Sequence, residues 1–544
     1  MHFAFDDFFR VPRRLFAQHP HACASSLLLF TLSTLWRIVF QVALSPRRQA
    51  YPESRTLFTN ALFTLPLWGL LMCVYYVWSH LALVRSQQRE YEYALLPIDR
   101  DGADASGPRS ASSQKSFQLP FEPEAQRLPS LRSRSFLAYL ALVMLGIYVS
   151  CTSTLPEDHR YSSVVAEANR QPRRAGYASG DKIFIAAMFY DNEDVVPYWT
   201  RQITRLVNYL GPDNVFISIV ESYSADATPA LLLDFASYLS AQQVPHRIIV
   251  QDTTIPRPSS METAPPRIDF LAATRNRAIE PLLQSAQPFD RIIFSNDIFV
   301  EAESIVELLN TNNGQYDMAC GVDFQQWGLY DLWVARDTKG GLVSGLYPYF
   351  LEENAFSAVV NDEPVPVSAC WNGIVSVSAE PFLRPAVRRP SRLSNHTLPA
   401  LPPTHPLSPR PSNTTALTAP QLNFRASALD RGECFSSESF LLPYDLARLF
   451  GLERVYMNTR VVTAYRWRFY VWYKRVLRHW AVRKWMRCRE AAPGVDDVAL
   501  RRRLEAGKVV LFASDEAVRE GKSGVWTWDG GECHPGPFPG VENH

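Results

Sequence analysis

The stretch at residues 289–300, which reads FDRIIFSNDIFV, constrains the fold more than any other part of the chain. Its run RIIF has the length and composition of a β-strand that is buried on both faces of a sheet. A polar triplet of Ser295, Asn296 and Asp297 follows, and apolar residues then resume. Ligands of open α/β sheets bind at the carboxyl ends of the strands, where a carboxylate suits Mg²⁺ or Mn²⁺. Asp297 is therefore predicted to be either a metal ligand or the cap of the next helix or turn.

The residues before this stretch alternate between strand and helix patterns, which predicts an α/β fold. Strand patterns lie at 182–190, 215–220 and 246–250, and helical spacing lies at 195–210 and 229–239. Such a βαβαβ series predicts a parallel sheet with helices on both faces. Asn192 and Glu193 follow the first strand, and Glu221 follows the second. Because no GxGxxG follows the first strand, these residues are expected to contact a base, a ribose or a metal instead.

Further candidate residues lie on either side of residues 289–300. A predicted helix at 267–283 carries Arg275 and Arg277 at its centre. These arginines are either solvated surface residues or partners of a diphosphate, which arginine binds through paired hydrogen bonds. Asp323 ends a short strand at 317–324, Trp371 and Asn372 precede a strand at 374–377, and Glu438 lies among apolar residues. The aromatic-rich stretch 327–337 suits either a sugar-binding wall or a core.

Three apolar stretches, at 24–44, 57–84 and 136–155, predict a membrane region over residues 1–155. The second and third carry no charge and are long enough to cross a bilayer, although a buried helix of a soluble protein resembles one such run. Residues 86–135 are rich in Ser, Pro, Gln and Arg and predict a cytoplasmic linker. The positions of Lys and Arg near the spans place the remainder in the lumen. A multi-pass protein of the Golgi or another secretory-pathway membrane is therefore expected.

Residues 156–180 are polar and predict a stem ahead of a folded domain at 181–466. A Pro-rich stretch at 384–422 predicts a surface insertion with two acceptors for N-glycosylation, Asn395 and Asn413. The last part, 467–544, begins with a basic, aromatic segment that either lies on the membrane surface or packs on the domain. The net charge of +1 argues against nucleic acid as a main partner. The eight cysteines contain no CxxC pair, so neither a zinc site nor a dense disulfide framework is expected.

Several ordered motifs give the chain a resemblance to a known family. They are AAMFYDNEDVVPYW at 186–199, RNRAIEPL at 275–282, FSNDIFV at 294–300, ACGVDF at 319–324, YDLWVARD at 330–337, CWNGIVSV at 370–377, SESFL at 437–441 and MNTRVVTAY at 457–465. Together they resemble the fungal capsule-associated α-1,3-mannosyltransferases, glycosyltransferase family 69. The resemblance covers roughly half of the chain. The Pro-rich insertion and the additional spans depart from the family, which is more typically single-span.

The resemblance implies a GT-A fold, a divalent metal, a nucleotide-sugar donor such as GDP-mannose and retention of anomeric configuration. The acceptor would be a glycan or polysaccharide. GT-A transferases carry an Asp-x-Asp-like motif, of which the triplet here keeps only the final residue, Asp297. We hypothesise that Asp297 binds Mn²⁺ or Mg²⁺ on the donor diphosphate. The other hypothesised contacts are Arg275, Asn276, Arg277 and Asn296 on the donor, Asn192, Glu193 and Glu221 on its base and ribose, and Asp323, Trp371, Asn372 and Glu438 on the sugar and acceptor.

Two alternatives remain open at the level of sequence. The missing first Asp of the triplet also suits a non-catalytic protein that keeps the fold and supports polysaccharide assembly or export. A transferase for another sugar, such as xylose, is the second alternative, because substrate identity within such a family is only loosely tied to fold.

Overall fold

The computed structural model describes residue 81 and residues 160–484, except 262–263, 326–327, 346, 434 and 481–482. The spans predicted at 24–44 and 136–155, nearly all of 57–84, the linker at 86–135 and the tail after residue 484 lie outside the described residues. Within the described part, no helix has both the length and the apolar character needed to cross a membrane.

The described elements follow the alternation that the sequence predicts. The helices are α1 (Ser162–Arg170), α2 (Val196–Leu210), α3 (Thr228–Ala241), α4 (Pro265–Leu283), α5 (Ala302–Leu309), α6 (Glu353–Val360), α7 (Glu438–Phe450) and α8 (Trp467–Trp472). The strands are β1 (Ile183–Phe189), β2 (Val215–Glu221), β3 (His246–Ile249), β4 (Arg291–Ser295), β5 (Met318–Gln325), β6 (Gly328–Leu329), β7 (Val365–Val367), β8 (Ile374–Ser378) and β9 (Val455–Thr463). The βαβαβ series and the strand at 289–300 are thus confirmed.

All nine strands form one mixed sheet in the order β3-β2-β1-β4-β8-β5-β9-β7, with β6 paired to β5. The pairs β1–β2, β1–β4, β2–β3 and β5–β9 are parallel, whereas β8 runs antiparallel to both β4 and β5. Six strands therefore share one direction, so the prediction of a mixed, mainly parallel sheet is confirmed. Ala187 of β1 lies opposite Ser295 of β4, and Phe189 lies opposite Glu221 of β2. This register brings the carboxyl ends of β1, β2 and β4 to one edge of the sheet.

Helix α2 shows why the sequence folds as it does on one face of the sheet. Its apolar positions recur at helical spacing, and Trp199, Ile203 and Leu206 are fully buried. The indole N–H of Trp199 donates to the Ser295 hydroxyl over 3.0 Å, which fastens α2 to the end of β4. The helix ends at Gly211, whose φ of +93° favours glycine. On the sheet itself, α4 lies against β1 and β2.

Two regions belong more closely to the folded domain than their composition indicated. The predicted stem contains α1, which packs on α2 and buries Val165 and Ala168. The Pro-rich insertion at 384–422 is held by the buried Arg388, which donates to six backbone carbonyls.

In the C-terminal segment, Tyr470 is buried against the domain, as the packed alternative predicts for the described residues up to 480.

Candidate active site

Asn296, which follows β4 directly, is the centre of a hydrogen-bonded cluster. Its side-chain oxygen accepts from the indole Nε1 of Trp371 over 3.1 Å and from the guanidinium of Arg275 over 3.3 Å. Its Nδ2 donates to the hydroxyl of Tyr465 over 2.8 Å. The cluster therefore joins the end of β4 to α4, to the turn before β8 and to the end of β9.

Asp297 is half-buried beside this cluster, and Asn192 at the end of β1 donates to its Oδ2 over 2.8 Å. Burial raises the pKa of the Asp297 carboxyl to about 6, against the lowering effects of the Asn192 hydrogen bond and the charge of Arg275. The sequence had assigned Asn192 to the base or ribose of a donor, and this contact with Asp297 was not predicted. Asn192 and Asp297 are 105 positions apart in sequence, and the parallel pairing of β1 with β4 brings them together.

The residues present suit a divalent cation only if its ligand supplies most of the coordination. Among the described residues, no three His, Cys, Asp or Glu side chains are grouped so as to hold a metal. Asp297 therefore offers a cation fewer than three protein ligands of these types. Mg²⁺ is commonly held in this way, by one or two carboxylates together with substrate phosphates, rather than in an all-protein cage. A positive charge beside the buried Asp297 carboxylate would stabilise its ionised form. The site therefore fits a divalent cation that is also bound to a diphosphate.

Arg275 is a buried residue of α4 and not a solvated surface residue. Its Nε donates to Oε1 of Glu438 over 3.0 Å, and its guanidinium carbon lies 4.1 Å from the centroid of the Trp371 ring. Both members of the ion pair are almost fully buried, at 4% and 2% side-chain exposure. A buried pair of this kind fixes geometry, and loss of one partner leaves an uncompensated charge. In this structure Arg275 therefore positions Glu438, Asn296 and Trp371.

Asp323 at the end of β5 faces the side chain of Asn372. Asn372 donates to its Oδ1 over 2.9 Å, and the backbone N–H of Asp331 donates to the same oxygen over 3.2 Å. Burial, followed by the nearby Asp331 carboxyl, raises the pKa of Asp323 to about 7. Burial also raises the pKa of Asp331 to about 6, with Glu438 adding to it. Both shifts favour the protonated form, so each carboxyl binds a proton more readily than an exposed Asp side chain does.

Three buried oxygens around these residues have no hydrogen-bond partner: Oδ2 of Asp323, Oδ1 of Asn372 and Oε2 of Glu438. As carboxyl and amide oxygens they act as acceptors unless a carboxyl is protonated. Buried acceptors without donors are costly, and such atoms in a native protein call for a donor that the protein itself does not provide. Hydroxyl groups or bound water are donors of that kind.

Four predicted site residues do not join the cluster. The carboxylate oxygens of Glu221 accept from the backbone N–H groups of Ser224 and Gln251, at 2.9 and 2.7 Å, so they brace loops. Glu193 is exposed and accepts from a backbone N–H group. Asn276 exchanges two hydrogen bonds with the backbone of Phe424. Arg277 bonds to Asp252 over 3.1 Å and to Glu280 over 2.5 Å.

Two residues of the cluster were not singled out from the sequence, although both lie inside motifs that were. Asp331 is one of the polar residues interleaved with the aromatic residues of the YDLWVARD stretch. Tyr465 ends the MNTRVVTAY stretch, and burial together with the carboxyls of Asp323 and Asp297 raises its pKa well above the ordinary value. Its hydroxyl therefore stays protonated among three acidic side chains. Each residue lies two positions after the last residue of a strand, β6 for Asp331 and β9 for Tyr465, which is the signal that could have found them.

A disulfide between Cys320 of β5 and Cys370 links two of the segments that form the cluster. Cys370 immediately precedes Trp371 and Asn372. Sequence spacing alone did not predict this pairing, because the two cysteines are 50 residues apart.

Comparison with known proteins adds to this geometry. Residues 182–445 match the model of a family described as cryptococcal mannosyltransferase 1. The alpha-1,3-mannosyltransferase CMT1 of Cryptococcus neoformans var. neoformans serotype D is 24% identical over 301 residues, covering 50% of this chain and 54% of that protein. The chain thus spans about half the length of this curated relative.

Solved structures also resemble the chain at a distance. Glucosyl-3-phosphoglycerate synthase from Mycobacterium tuberculosis, with Mg²⁺ and UDP, is 13% identical with a TM-score of 0.27, covering 56% of this chain and 75% of its own. The mannosyltransferase PcManGT from Pyrobaculum calidifontis, with GDP-Man and Mn²⁺, is 11% identical with a TM-score of 0.28, covering 66% and 79%. We infer nothing about this chain from likenesses with TM-scores this low.

The family match covers every member of the cluster except Tyr465, from Asn192 through Asn296, Asp297 and Asp323 to Glu438. The resemblance that the ordered motifs indicated is therefore confirmed over residues 182–445, which match the family model described as cryptococcal mannosyltransferase 1.

Proposed function

We propose that this protein is a glycosyltransferase that moves mannose from GDP-mannose onto a hydroxyl of a glycan or polysaccharide, in an α-1,3 linkage and with retention of configuration. The observation that carries the proposal is the convergence of Asn192, Arg275, Asn296, Asp297, Asp323, Trp371, Asn372 and Glu438 at one edge of the sheet. These residues come from six separate segments of a region matched to a mannosyltransferase family. The buried oxygens of Asp323, Asn372 and Glu438 that lack a partner in the protein support the proposal, because a bound sugar could supply their donors.

Each residue of the cluster has a task in this proposal that its contacts support. Asn192 orients the carboxylate of Asp297 through the bond to Oδ2. Arg275 holds Glu438 and Asn296, so that Glu438 is placed to orient an acceptor hydroxyl or to stabilise positive charge on the sugar. The donor-free oxygens of Asp323 and Glu438 are suited to accept from sugar hydroxyls.

A divalent cation held by Asp297 would add positive charge against the diphosphate as negative charge develops on it. The remaining tasks belong to the protein. Burial raises the pKa of Asp323 to about 7, so that this carboxyl holds a proton over part of the neutral range, and Tyr465 keeps its phenolic proton nearby. The indole of Trp371 closes the buried side of the site, with 1% of its surface exposed.

A donor screen tests this proposal. The protein is incubated with labelled GDP-mannose, UDP-glucose or UDP-xylose and a mannose oligosaccharide acceptor, with and without Mn²⁺. We expect transfer from GDP-mannose only, dependent on Mn²⁺, and an α-1,3 product by NMR. Transfer from UDP-xylose alone would favour the alternative of a transferase for another sugar. Binding of a donor nucleotide without turnover of any donor would favour the non-catalytic alternative, which the lone carboxylate of the metal site motivates.

We further propose a multi-pass membrane location with the folded domain in the lumen of the Golgi or another secretory compartment. The Cys320–Cys370 disulfide supports this, because disulfides persist in oxidising compartments. The exposed acceptors Asn395 and Asn413 support it as well. Protease added to intact membrane vesicles should leave the domain uncut.

A further inference from the structure

The Cys320–Cys370 disulfide links strand β5 to the segment before β8, and both carry residues of the polar cluster. Cys320 lies on β5 three residues before Asp323, and Cys370 lies two residues before Asn372. The two Cα atoms are 6.1 Å apart, and both side chains are fully buried. The disulfide therefore joins the two segments within three residues of the point where the Asn372 amide meets the Asp323 carboxyl.

The turn that follows Cys370 has a backbone conformation that most residues avoid. Asn372 has a φ of +47° and Gly373 a φ of +83°. A side chain at Gly373 would lie 2.7 Å from the Thr463 hydroxyl and 3.3 Å from Ile298, so the turn is also closely packed. A non-glycine residue in this region persists only where its surroundings hold it. Packing on one side and the disulfide on the other supply that restraint.

The turn presents its two polar side chains to different strands. The Trp371 indole donates to Asn296 at the end of β4, and the Asn372 amide donates to Asp323 on β5. The same amide also donates to the carbonyl of Asp331 over 3.2 Å. A displacement of the turn by one ångström would break all three bonds, because hydrogen bonds weaken steeply with distance and angle.

We propose that Cys320 and Cys370 are positioning residues of the active site: their disulfide holds the strained 371–373 turn so that Trp371 and Asn372 meet Asn296 and Asp323. This inference rests on the proposed function, because it assigns the disulfide to the geometry of sugar transfer. The alternative is a disulfide that stabilises the fold alone by restricting the unfolded chain. The two differ in where the effect of removal falls. Positioning changes transfer in protein that is fully folded, whereas general stabilisation changes only the unfolding midpoint.

A double-mutant cycle separates these possibilities. The four proteins are the wild type, Cys320→Ala with Cys370→Ala, Asn372→Ala, and the triple variant, assayed well below their unfolding midpoints. We expect loss of the disulfide to lower kcat/KM by about tenfold or more in the wild type, and by less than about threefold when Asn372→Ala is already present. Additive losses would overturn the proposal, as would an unchanged kcat/KM after removal of the disulfide.

A second cycle uses Trp371→Phe, which keeps an aromatic ring and removes only the indole N–H. It covers the case in which Asn372→Ala has too little activity to measure. The matched control is Leu239→Ala, a fully buried residue of α3. Leu239→Ala should lower the unfolding midpoint. It should leave kcat/KM unchanged at an assay temperature where the protein is folded.

The failure of the proposed function would be visible separately. If the wild type transfers no sugar, the same cycles are measured on the affinity for GDP-mannose by calorimetry. If removal of the disulfide weakens GDP-mannose binding less in the Asn372→Ala or Trp371→Phe background than in the wild type, the positioning role of the disulfide is supported. The protein would then bind the donor without turning it over. Additive or absent effects on affinity would remove that role.

Discussion

At the scale of single residues, Asp297 is the most direct test of the site. Asp297→Asn keeps the shape of the side chain, and the amide oxygen retains the bond from Asn192, but the negative charge is lost. If this carboxylate holds the cation, metal affinity should fall and transfer should collapse by roughly 100-fold or more even at saturating donor. Excess Mn²⁺ should restore a small part of it. The measurement is sugar transfer against Mn²⁺ concentration.

Folding of this variant should be intact, because the substitution removes a carboxylate whose charged form burial disfavours. The control is Asp234→Asn on the exposed surface of α3, which should match the wild type in both transfer and thermal midpoint. Near-normal transfer by Asp297→Asn would make Asp297 a cap of the following turn, for which Asn is equally suitable.

Arg275 and Arg277 lie two positions apart on α4 and form a matched pair for substitution. Arg275→Ala leaves the buried Glu438 without its cation, which should destabilise the protein by about 3–5 kcal/mol and remove most transfer. Arg275→Lys should recover part of the stability, yet little transfer, because one ammonium cannot reach both Glu438 and Asn296. Arg277→Ala breaks only the contacts with Asp252 and Glu280 and should transfer sugar normally. Equal losses in the two Ala variants would assign Arg275 to general stability.

The carboxyl of Asp323 makes stability depend on pH with a definite sign. Its pKa is raised from 3.8 in the unfolded chain to about 7 in the folded protein. Between these values the folded state binds more protons than the unfolded state, so stability falls as pH rises, by up to about 1.4 kcal/mol per pH unit. Between pH 5 and pH 8, the unfolding free energy of the wild type should therefore decrease relative to that of Asp323→Asn. Parallel curves for the two proteins would show that Asp323 does not titrate in this range.

At the scale of elements, the sequence predicted the strands and their polar ends better than the partners of each side chain. The runs at β1, β2 and β4 are apolar enough to be buried on both sides, and the register of a parallel sheet then brings Asn192 and Asp297 together. Local pattern does not show which backbone group a side chain will meet. For that reason Glu221 and Asn276 were expected to bind ligand and instead brace loops.

The Pro-rich insertion behaves as an element of the domain through Arg388. Its guanidinium donates to carbonyls on both sides of the insertion, including Pro381, Ala416 and Ala419. Arg388→Ala should leave several buried carbonyls unpaired, destabilise the protein by about 2–4 kcal/mol and open the insertion to limited proteolysis. Arg392→Ala, at an exposed ion pair with Asp290, should change the thermal midpoint very little. If limited proteolysis cut Arg388→Ala no faster than the wild type, Arg388 would not be what holds the insertion on the domain.

At the scale of the whole molecule, the lumenal orientation that we propose can be checked on the glycan acceptors. Asn395 and Asn413 are exposed, and a β-bridge between Thr397 and Thr415 brings the two Asn-x-Thr sites side by side. In a lumenal domain both are open to the glycosylation machinery, which does not act on the cytoplasmic side of the membrane. Endoglycosidase should therefore increase the gel mobility of the wild type.

Asn395→Gln and Asn413→Gln should each remove part of that mobility change, and the double variant should remove all of it. Asn423→Gln alters an exposed asparagine outside any acceptor motif and should leave the change intact. A cytoplasmic domain would give no glycan on any variant and would be cut by protease added to sealed vesicles. The orientation is independent of the chemistry of the site. A cytoplasmic result would therefore remove the three-span topology and leave the cluster around Asp297 as a candidate transferase site.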